Sequence, residues 1–182
     1  MKTDITQALV NEHRLILRMI ALLERKAPKT ADGSYINWQF YLDGIDFIRQ
    51  YADRFHHAKE ENILFKALID NGMPKEHSPV AAMLMEHDQG RSYVRAMETA
   101  VLEAQLGHED TYQEIADNAL GYAALLRDHI DKEDDILYPL AERVLPESVR
   151  PSILEDYRAA EAQVSAEFSA HYQTIVTQYE QE

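Results

Sequence analysis

Apolar residues recur every three or four positions along most of the chain, which is the spacing of one face of an α-helix. No stretch shows the alternation of apolar and polar residues that is typical of a strand. We therefore predict four long helices, over about residues 4–26, 36–70, 78–107 and 110–145. Four long helices joined by short connections predict an all-α fold, an up-down-up-down four-helix bundle.

Cap and turn residues mark the ends of these helices. Asp4, with Gln7 three residues later, can cap the first helix, and Pro28 to Ser34 has the composition of a loop. Asn71-Gly72 is a helix stop, and Ser78-Pro79 offers a cap residue followed by a proline at the first helical position. These signals support the four segments that the periodicity predicts.

The C-terminal tail shows a further helical pattern. Ser152 and Glu155 have the spacing of a capping box, and apolar residues follow at three- or four-residue steps as far as Tyr179. We therefore expect a bundle over residues 1–146 and a C-terminal amphipathic helix within residues 147–182. This helix could pack across the bundle or pair with a second chain, in which case it would form a homodimer.

Composition and charge narrow the function. The chain has 182 residues, enough for one domain with a real core, and a formal net charge of −14 with scattered basic residues. We therefore expect no nucleic-acid partner. The chain has no cysteine, so histidine and carboxylate are its strong metal-ligand types. No apolar run has membrane-spanning length and the N-terminus lacks a signal pattern, so we expect a soluble, cytoplasmic protein with no membrane partner.

One stretch occurs twice, at residues 56–65 and 129–138, and both copies read H-x-x-K-E-acidic-x-I-L-aromatic. On a helix, residues four apart lie one turn above each other on one face. His56 with Glu60, and His129 with Glu133, are therefore candidate metal-ligand pairs.

The repeat extends upstream of both copies. Glu12-His13 precedes the first copy and Glu86-His87 precedes the second, so that the two lone histidines are 74 residues apart while the two copies are 73 apart. A duplicated helical hairpin would leave this spacing. Each hairpin then offers a lone histidine on its first helix and a His-x-x-x-Glu pair on its second.

The repeated residues form a mixed nitrogen and oxygen donor set, which suits iron, manganese or zinc better than magnesium or calcium. Six protein ligands are too many for one tetrahedral zinc, and they suit two metal ions bridged by the carboxylates. With two histidine nitrogens and two carboxylate oxygens, each ion would keep positions for solvent and an added ligand. The predicted metal ligands are His13, His56, Glu60, His87, His129 and Glu133.

Several alternatives stay open from the residues alone. His57 and Glu61 are also four apart and could replace the first pair, although the second copy has Ile130 and Asp134 at the matching positions. The charged run around His57 could instead be a solvated helix face, in an inert bundle without metal. Tyr122 could donate a hydrogen bond to a metal-bound ligand or simply pack in the core. The other histidines are expected to be exposed: His77, His108 and His171.

The motifs EHRLIL, HHAKEENILF, MEHDQGR and HIDKEDDILYP resemble those of the hemerythrin-like, or HHE cation-binding, proteins over about residues 5–145. The resemblance implies a four-helix bundle with a non-haem di-iron centre, two iron ions bridged by solvent, held at the six positions above. The oxygen-carrying members have a further histidine one turn from the third-helix ligand, whereas Met83 and Arg91 stand four residues from His87 here. The resemblance therefore favours members that bind or react with oxygen, nitric oxide or peroxide over reversible oxygen carriers.

Two function classes remain open at this point. One is a redox-active di-iron protein that acts on a small diatomic molecule or peroxide, and the other is an iron-binding, sensing or storage module without turnover. Iron–sulfur repair is a further role within the family, but its members often carry a cysteine-bearing N-terminal segment that this chain lacks. The apolar residues Leu17, Leu64, Leu84 and Leu137 should exclude bulk water from the centre and admit small neutral molecules.

Overall fold

A computed structural model describes residues 3–182, and this part of the chain contains six helices and no strand. The predicted all-α fold is confirmed. We number the helices α1 (Gln7–Ala31), α2 (residues 38–70), α3 (Pro79–Gln105), α4 (residues 112–144), α5 (Arg150–Glu161) and α6 (Phe168–Glu180). The first four are the predicted bundle helices. No helix within residues 3–182 is long and apolar enough to cross a membrane.

Two of the bundle helices widen locally into π-helix. In α2 the π segments are Ile48–His57 and Glu60–Leu64, and in α4 the π segment is Glu133–Leu137. Glu60–Leu64 and Glu133–Leu137 are equivalent positions of the repeated motif, so the two copies share a local structure as well as a sequence. Such segments occur mostly as local bulges, frequently at functional sites.

Most of the predicted helix ends are confirmed. The Asp4 carboxylate accepts a hydrogen bond of 2.8 Å from the backbone N–H of Gln7, and the Ser78 hydroxyl accepts one of 3.2 Å from Ala81. The predicted loop begins at Asp32 rather than at Pro28, because α1 continues through this proline to Ala31.

The extension of α1 has a packing cause. Ala27 and Thr30 are buried in the bundle, and the Thr30 hydroxyl lies 2.7 Å from the Tyr41 hydroxyl of α2. These contacts hold the last turn of α1 in place. Pro28 lies in that turn and removes one helical hydrogen bond.

The tail is helical as predicted, but residues 162–167 divide it into two shorter helices. The predicted cap does not form. Helix α5 begins at Arg150, and the Ser152 hydroxyl donates to the carbonyl oxygen of Val149 at 2.8 Å. The Arg150 side chain is fully buried, and it donates to the carbonyl oxygens of Leu145 and Glu142, which ties α5 to the end of α4.

Helix α6 packs across the bundle rather than standing free. Its buried residues include Tyr172 and Tyr179, whose rings contact Phe47 and Phe40 of α2 respectively. Their hydroxyls donate to Asp46 at 2.8 Å and to Asp43 at 2.6 Å. The division of the chain at residue 146 and the homodimer through the tail stay predictions.

A polar layer separates two apolar clusters inside the bundle. On α1, His13 lies between Leu9 of one cluster and Ile16 of the other, and His87 lies between Met83 and Val94 on α3. The repeated motifs occupy the same level on α2 and α4. The fold therefore places both copies of the motif and both lone histidines in one layer, closed above and below by apolar residues.

Candidate metal centre

The six residues predicted as metal ligands come together in this layer. Each is at most 2% exposed, and the four helices of the bundle all contribute. The set is His13, His56, Glu60, His87, His129 and Glu133.

Their donor atoms form two groups, in each of which all atoms lie within 4.8 Å of one another. One group contains His13, His56, Glu60 and Glu133. The other contains His87 and His129 with Glu60 again, and with His57 in addition. Glu60 is shared, so the two groups lie side by side as a pair of adjoining sites.

His57 lies in a donor group together with Glu60, although the sequence offered His57 with Glu61 only as an alternative to His56 with Glu60. Both His56 and His57 face the centre, one in each group, whereas Glu61 lies outside the groups. The His57 ring stacks on His87 with ring centroids 3.9 Å apart. The two groups therefore contain five histidines, two in one group and three in the other, whereas the sequence predicts two for each ion.

Each of the four predicted histidines is held by a carboxylate at its Nδ1 atom. Within each hairpin, the glutamate before the lone histidine reaches the histidine of the motif: Glu12 lies 2.8 Å from His56 Nδ1, and Glu86 lies 2.9 Å from His129 Nδ1. Since a carboxylate can only accept, Nδ1 carries the proton and the Nε2 atom of each ring faces inward.

The lone histidines are held by the opposite hairpin. His13 Nδ1 lies 2.9 Å from Asp134, and His87 Nδ1 lies 2.7 Å from Glu61. Glu61 and Asp134 occupy the same position of the repeated motif, directly after Glu60 and Glu133 respectively. The acidic residue is therefore repeated because it orients a histidine across the bundle.

The lysine of the motif completes this arrangement. Lys59 donates to Glu12, and Lys132 donates to Glu86, so each lysine holds the glutamate that orients the motif histidine. Lys59 is buried, while the side chain of Lys132 is 39% exposed. The charged run around the first motif is thus an interior network in large part, and the solvated-face interpretation is wrong for it.

The inward nitrogens face each other in pairs. His13 Nε2 and His56 Nε2 are 3.0 Å apart, and so are His87 Nε2 and His129 Nε2. Two unprotonated nitrogens at this distance repel each other unless a proton or a cation lies between them. Two nitrogens that bind one metal ion at about 2.1 Å and at right angles are about 3.0 Å apart, so the observed spacing fits cis ligands of one ion.

The two glutamates add oxygen donors to both nitrogen pairs. Glu133 places one oxygen 3.1 Å from His129 Nε2 and the other 3.3 Å from His13 Nε2. Glu60 Oε2 lies 3.7 Å from His56 Nε2 and 3.6 Å from His87 Nε2. Glu60 Oε2 and both Glu133 oxygens are buried without a hydrogen-bond partner. Orphaned oxygens at this depth are costly, and a cation between the groups would satisfy them.

The pKa shifts of Glu60 and His13 also indicate that positive charge stabilises the two donor groups. Burial and the nearby Glu133 raise the pKa of Glu60 well above its ordinary value. Burial alone would lower the pKa of His13, but the neighbouring carboxylates of Asp134 and Glu133 outweigh burial and raise that pKa to about 9. In the absence of a metal, protons on Glu60 and His13 therefore compensate the buried carboxylates, which is the role that a bound cation would take over.

His57 differs from the other four histidines of the centre. Its Nδ1 atom has no hydrogen bond, since the nearest carboxylate, Asp53, is 3.5 Å away. Burial and the neighbouring His87 lower its pKa well below the ordinary value, which keeps the ring neutral. A neutral, buried imidazole is the form that binds metal.

A hydroxyl and a cavity border the centre on different sides. The Tyr138 hydroxyl donates to Glu60 Oε1 and lies 3.3 Å from His13 Nε2, a contact that sequence reasoning missed. A cavity of about 260 Å³ reaches His57 and His87 and is also lined by Tyr122. The Tyr122 hydroxyl has no hydrogen-bond partner. The three histidines expected to be exposed are exposed: His77, His108 and His171.

Comparison with known proteins agrees with this geometry. The family model described as the hemerythrin HHE cation binding domain matches residues 4–141, which include every residue of the two donor groups. No match was found among curated proteins or among solved structures. The buried cluster of histidine and glutamate donors fits a metal site, and the family match covers most of the chain. The chain belongs to the hemerythrin HHE cation-binding family.

Proposed function

We propose that the protein holds two iron ions and that the di-iron centre binds or reacts with oxygen, nitric oxide or peroxide. The observation that carries the proposal is the pair of facing nitrogens, His13 with His56 and His87 with His129, each 3.0 Å apart beside orphaned carboxylate oxygens. Two such pairs that share Glu60 favour two ions rather than one. Five nitrogens with carboxylate oxygens, and no thiolate, suit iron; manganese and zinc are its substitutes.

Each residue of the centre has a distinct task in this proposal. The five histidines supply nitrogen, and Glu60 and Glu133 bridge the two groups because each lies close to a nitrogen of both. The outer carboxylates fix the ring orientations, which keeps the donor atoms in place before a metal arrives. When bound, two iron ions would supply electrons and open coordination positions to a small molecule.

The two groups differ in nitrogen count. His13 and His56 provide one nitrogen fewer than the group of His57, His87 and His129. With one nitrogen donor fewer, the first group would leave an ion more open to a visiting molecule than the second group would. The Tyr138 hydroxyl lies beside this group, 3.3 Å from His13 Nε2, where it would donate a hydrogen bond to a visiting molecule by turning away from Glu60.

The five-histidine set also changes one expectation from the sequence. The oxygen-carrying members have their fifth histidine on the third helix, and His57 offers a fifth nitrogen from α2 instead. The number of histidine nitrogens therefore does not distinguish a protein that binds oxygen reversibly from one that reduces it. Apolar residues still enclose the centre, since Leu64 and Leu137 are buried next to it, and they favour small neutral visitors.

Two measurements test this proposal: the iron content of the purified protein and its variants, and the reaction of the reduced protein with small molecules. Purified protein should carry iron in both groups, and Glu60→Gln and Glu133→Gln should each lower its content, while Glu155→Gln on the exposed face of α5 should not. The reduced, iron-loaded protein is then mixed with oxygen, nitric oxide or peroxide in a stopped-flow spectrometer. We expect a spectral change with at least one of them.

The outcomes separate the candidate functions. A reversible oxygen complex would indicate oxygen binding or storage, and rapid oxidation or peroxide loss would indicate turnover. Iron binding without a response to any of the three molecules would contradict the proposed reactivity and leave an iron-binding module. Full iron content in both glutamate variants would contradict the site itself.

A further inference from the structure

A cavity of about 260 Å³ opens between α2, α3 and α4 beside the metal centre. Its apolar wall includes Ile48, Val94 and Leu126, and its inner part touches His57. Ligand pockets for drug-sized molecules usually exceed about 300 Å³, so this cavity has room for a small molecule only. Gly90 lines it too, and a Cβ atom at this position would lie 3.5 Å from the Tyr122 ring.

Four arginines line the same cavity, although the chain has a net charge of −14. Arg49 pairs with Glu98, and Arg91 pairs with Asp53, Glu61 and Asp88. The other two, Arg54 and Arg95, form no ion pair within residues 3–182. Arg54 contacts the side-chain oxygen of Gln50 at 3.4 Å, and Arg95 contacts the Ser92 hydroxyl at 2.9 Å.

The two acids that line the cavity are already neutralised by other partners. Asp53 accepts from Arg91 at 2.6 Å, and Glu86 accepts from His129 and Lys132. Neither of these acids therefore compensates the positive charges of Arg54 and Arg95 at the cavity mouth. Guanidinium groups bind carboxylates through two parallel hydrogen bonds, which makes an anion the complementary occupant.

The interior of the cavity offers one more polar group. Tyr122 is 3% exposed, and its hydroxyl has no hydrogen-bond partner in the described chain. A buried, unsatisfied hydroxyl costs free energy unless a ligand or water satisfies it. The cavity thus combines positive charge at its mouth, apolar walls and a hydroxyl inside.

We propose that this cavity binds a small organic carboxylate, with its head group on Arg54 and Arg95 and its short apolar body against Ile48, Val94 and Leu126. An inorganic anion would leave the apolar wall without a partner, and a neutral molecule would leave the arginines without one. None of these five residues belongs to the donor groups, so carboxylate binding can be tested apart from iron binding even though the cavity reaches His57 and His87.

The test uses butyrate as the probe and butyramide as its uncharged analogue, titrated into the full-length purified protein by isothermal calorimetry at low salt. Butyrate should bind saturably and butyramide at least tenfold more weakly, because only the anion pairs with guanidinium. Arg54→Gln and Arg95→Gln should each weaken butyrate binding about fivefold, a moderate loss because both side chains are exposed.

The control is Arg143→Gln, which removes the same charge from an exposed position of α4 outside the cavity and should leave binding unchanged. Equal binding of butyrate and butyramide would overturn the proposal, as would equal effects of the Arg54 and Arg143 substitutions. Absence of saturable butyrate binding would show that the cavity holds water only. All the variants alter exposed groups, so each should fold.

Discussion

Glu12 and Glu86 occupy matching positions in the two hairpins. Replacing each with glutamine should have different effects on iron affinity and on the free energy of unfolding. Each glutamate orients the motif histidine of its own hairpin, and each holds a lysine. The lysines differ in burial, because the Lys59 side chain is 1% exposed and that of Lys132 is 39% exposed. The same substitution should therefore have equal effects on the metal and unequal effects on the fold.

The magnitudes follow from this difference in burial. Breaking a buried ion pair costs about 3–5 kcal/mol, and Lys59 keeps one weaker partner in Glu161 at 3.2 Å, so Glu12→Gln should cost about 2–3 kcal/mol. Lys132 can return to water, so Glu86→Gln should cost about 1 kcal/mol or less. Loss of the carboxylate behind a metal-binding histidine typically lowers metal affinity about 10- to 100-fold, and this loss should be similar in both variants.

Two measurements check these expectations. Urea unfolding of the metal-free proteins, followed by circular dichroism, gives the change in free energy of unfolding. Competition with a chelator gives the change in iron affinity. Equal destabilisation by the two substitutions, or unchanged iron affinity in either one, would refute the reasoning that the repeated Glu-His and Lys-Glu pairs form one orienting network.

Three further substitutions test other parts of the structure. His57→Ala should lower iron affinity about 10-fold or more by removing one nitrogen donor, whereas His77→Ala should not; equal iron content in both would place His57 outside the centre. Arg150→Met should lower the free energy of unfolding by about 3–5 kcal/mol, while Arg158→Met on the exposed face of α5 should have almost no effect; the iron content of the folded protein should not change. Tyr172→Phe should cost about 1 kcal/mol by removing the hydrogen bond to α2, and no loss in urea unfolding would contradict that bond's contribution.

The four bundle helices and six of the seven residues in the two candidate donor groups were predictable from the sequence, because the signals are local and repeated. Cap residues such as Ser78 act through hydrogen bonds to neighbouring backbone, so their effect does not depend on the rest of the fold. The histidines and glutamates recur at matched offsets, which ties them to one layer. The outer carboxylates could have been found in the same way, since Glu12 and Glu86 also repeat.

His57 could not be predicted from the repeat, because the second copy has Ile130 at this position. On a regular α-helix, adjacent residues such as His56 and His57 point about 100° apart, which suggests that only one of them can face the centre. In the structure both lie in a π-helical segment at the level of the two donor groups, and each reaches a different group. The direction of the second ring depends on packing that no local pattern records.

The tail shows a different limit of sequence patterns. Its apolar spacing continues through residues 162–167, yet the chain bends there. Ile153 and Tyr157 of α5 join the apolar cluster on one side of the polar layer, whereas Tyr172 and Val176 of α6 join the cluster on the other side. Periodicity reports that a face is buried but not which partner buries it.

We propose that two metal ions lie side by side in this layer, held by the five histidines and two glutamates of the donor groups. The most direct test is a crystal structure of the iron-loaded protein with anomalous diffraction measured on both sides of the iron absorption edge. Two iron peaks should appear, one beside His13 and His56 and the other beside His57, His87 and His129, with Glu60 in contact with both. A single peak, or two peaks with His57 turned away from both, would contradict the account.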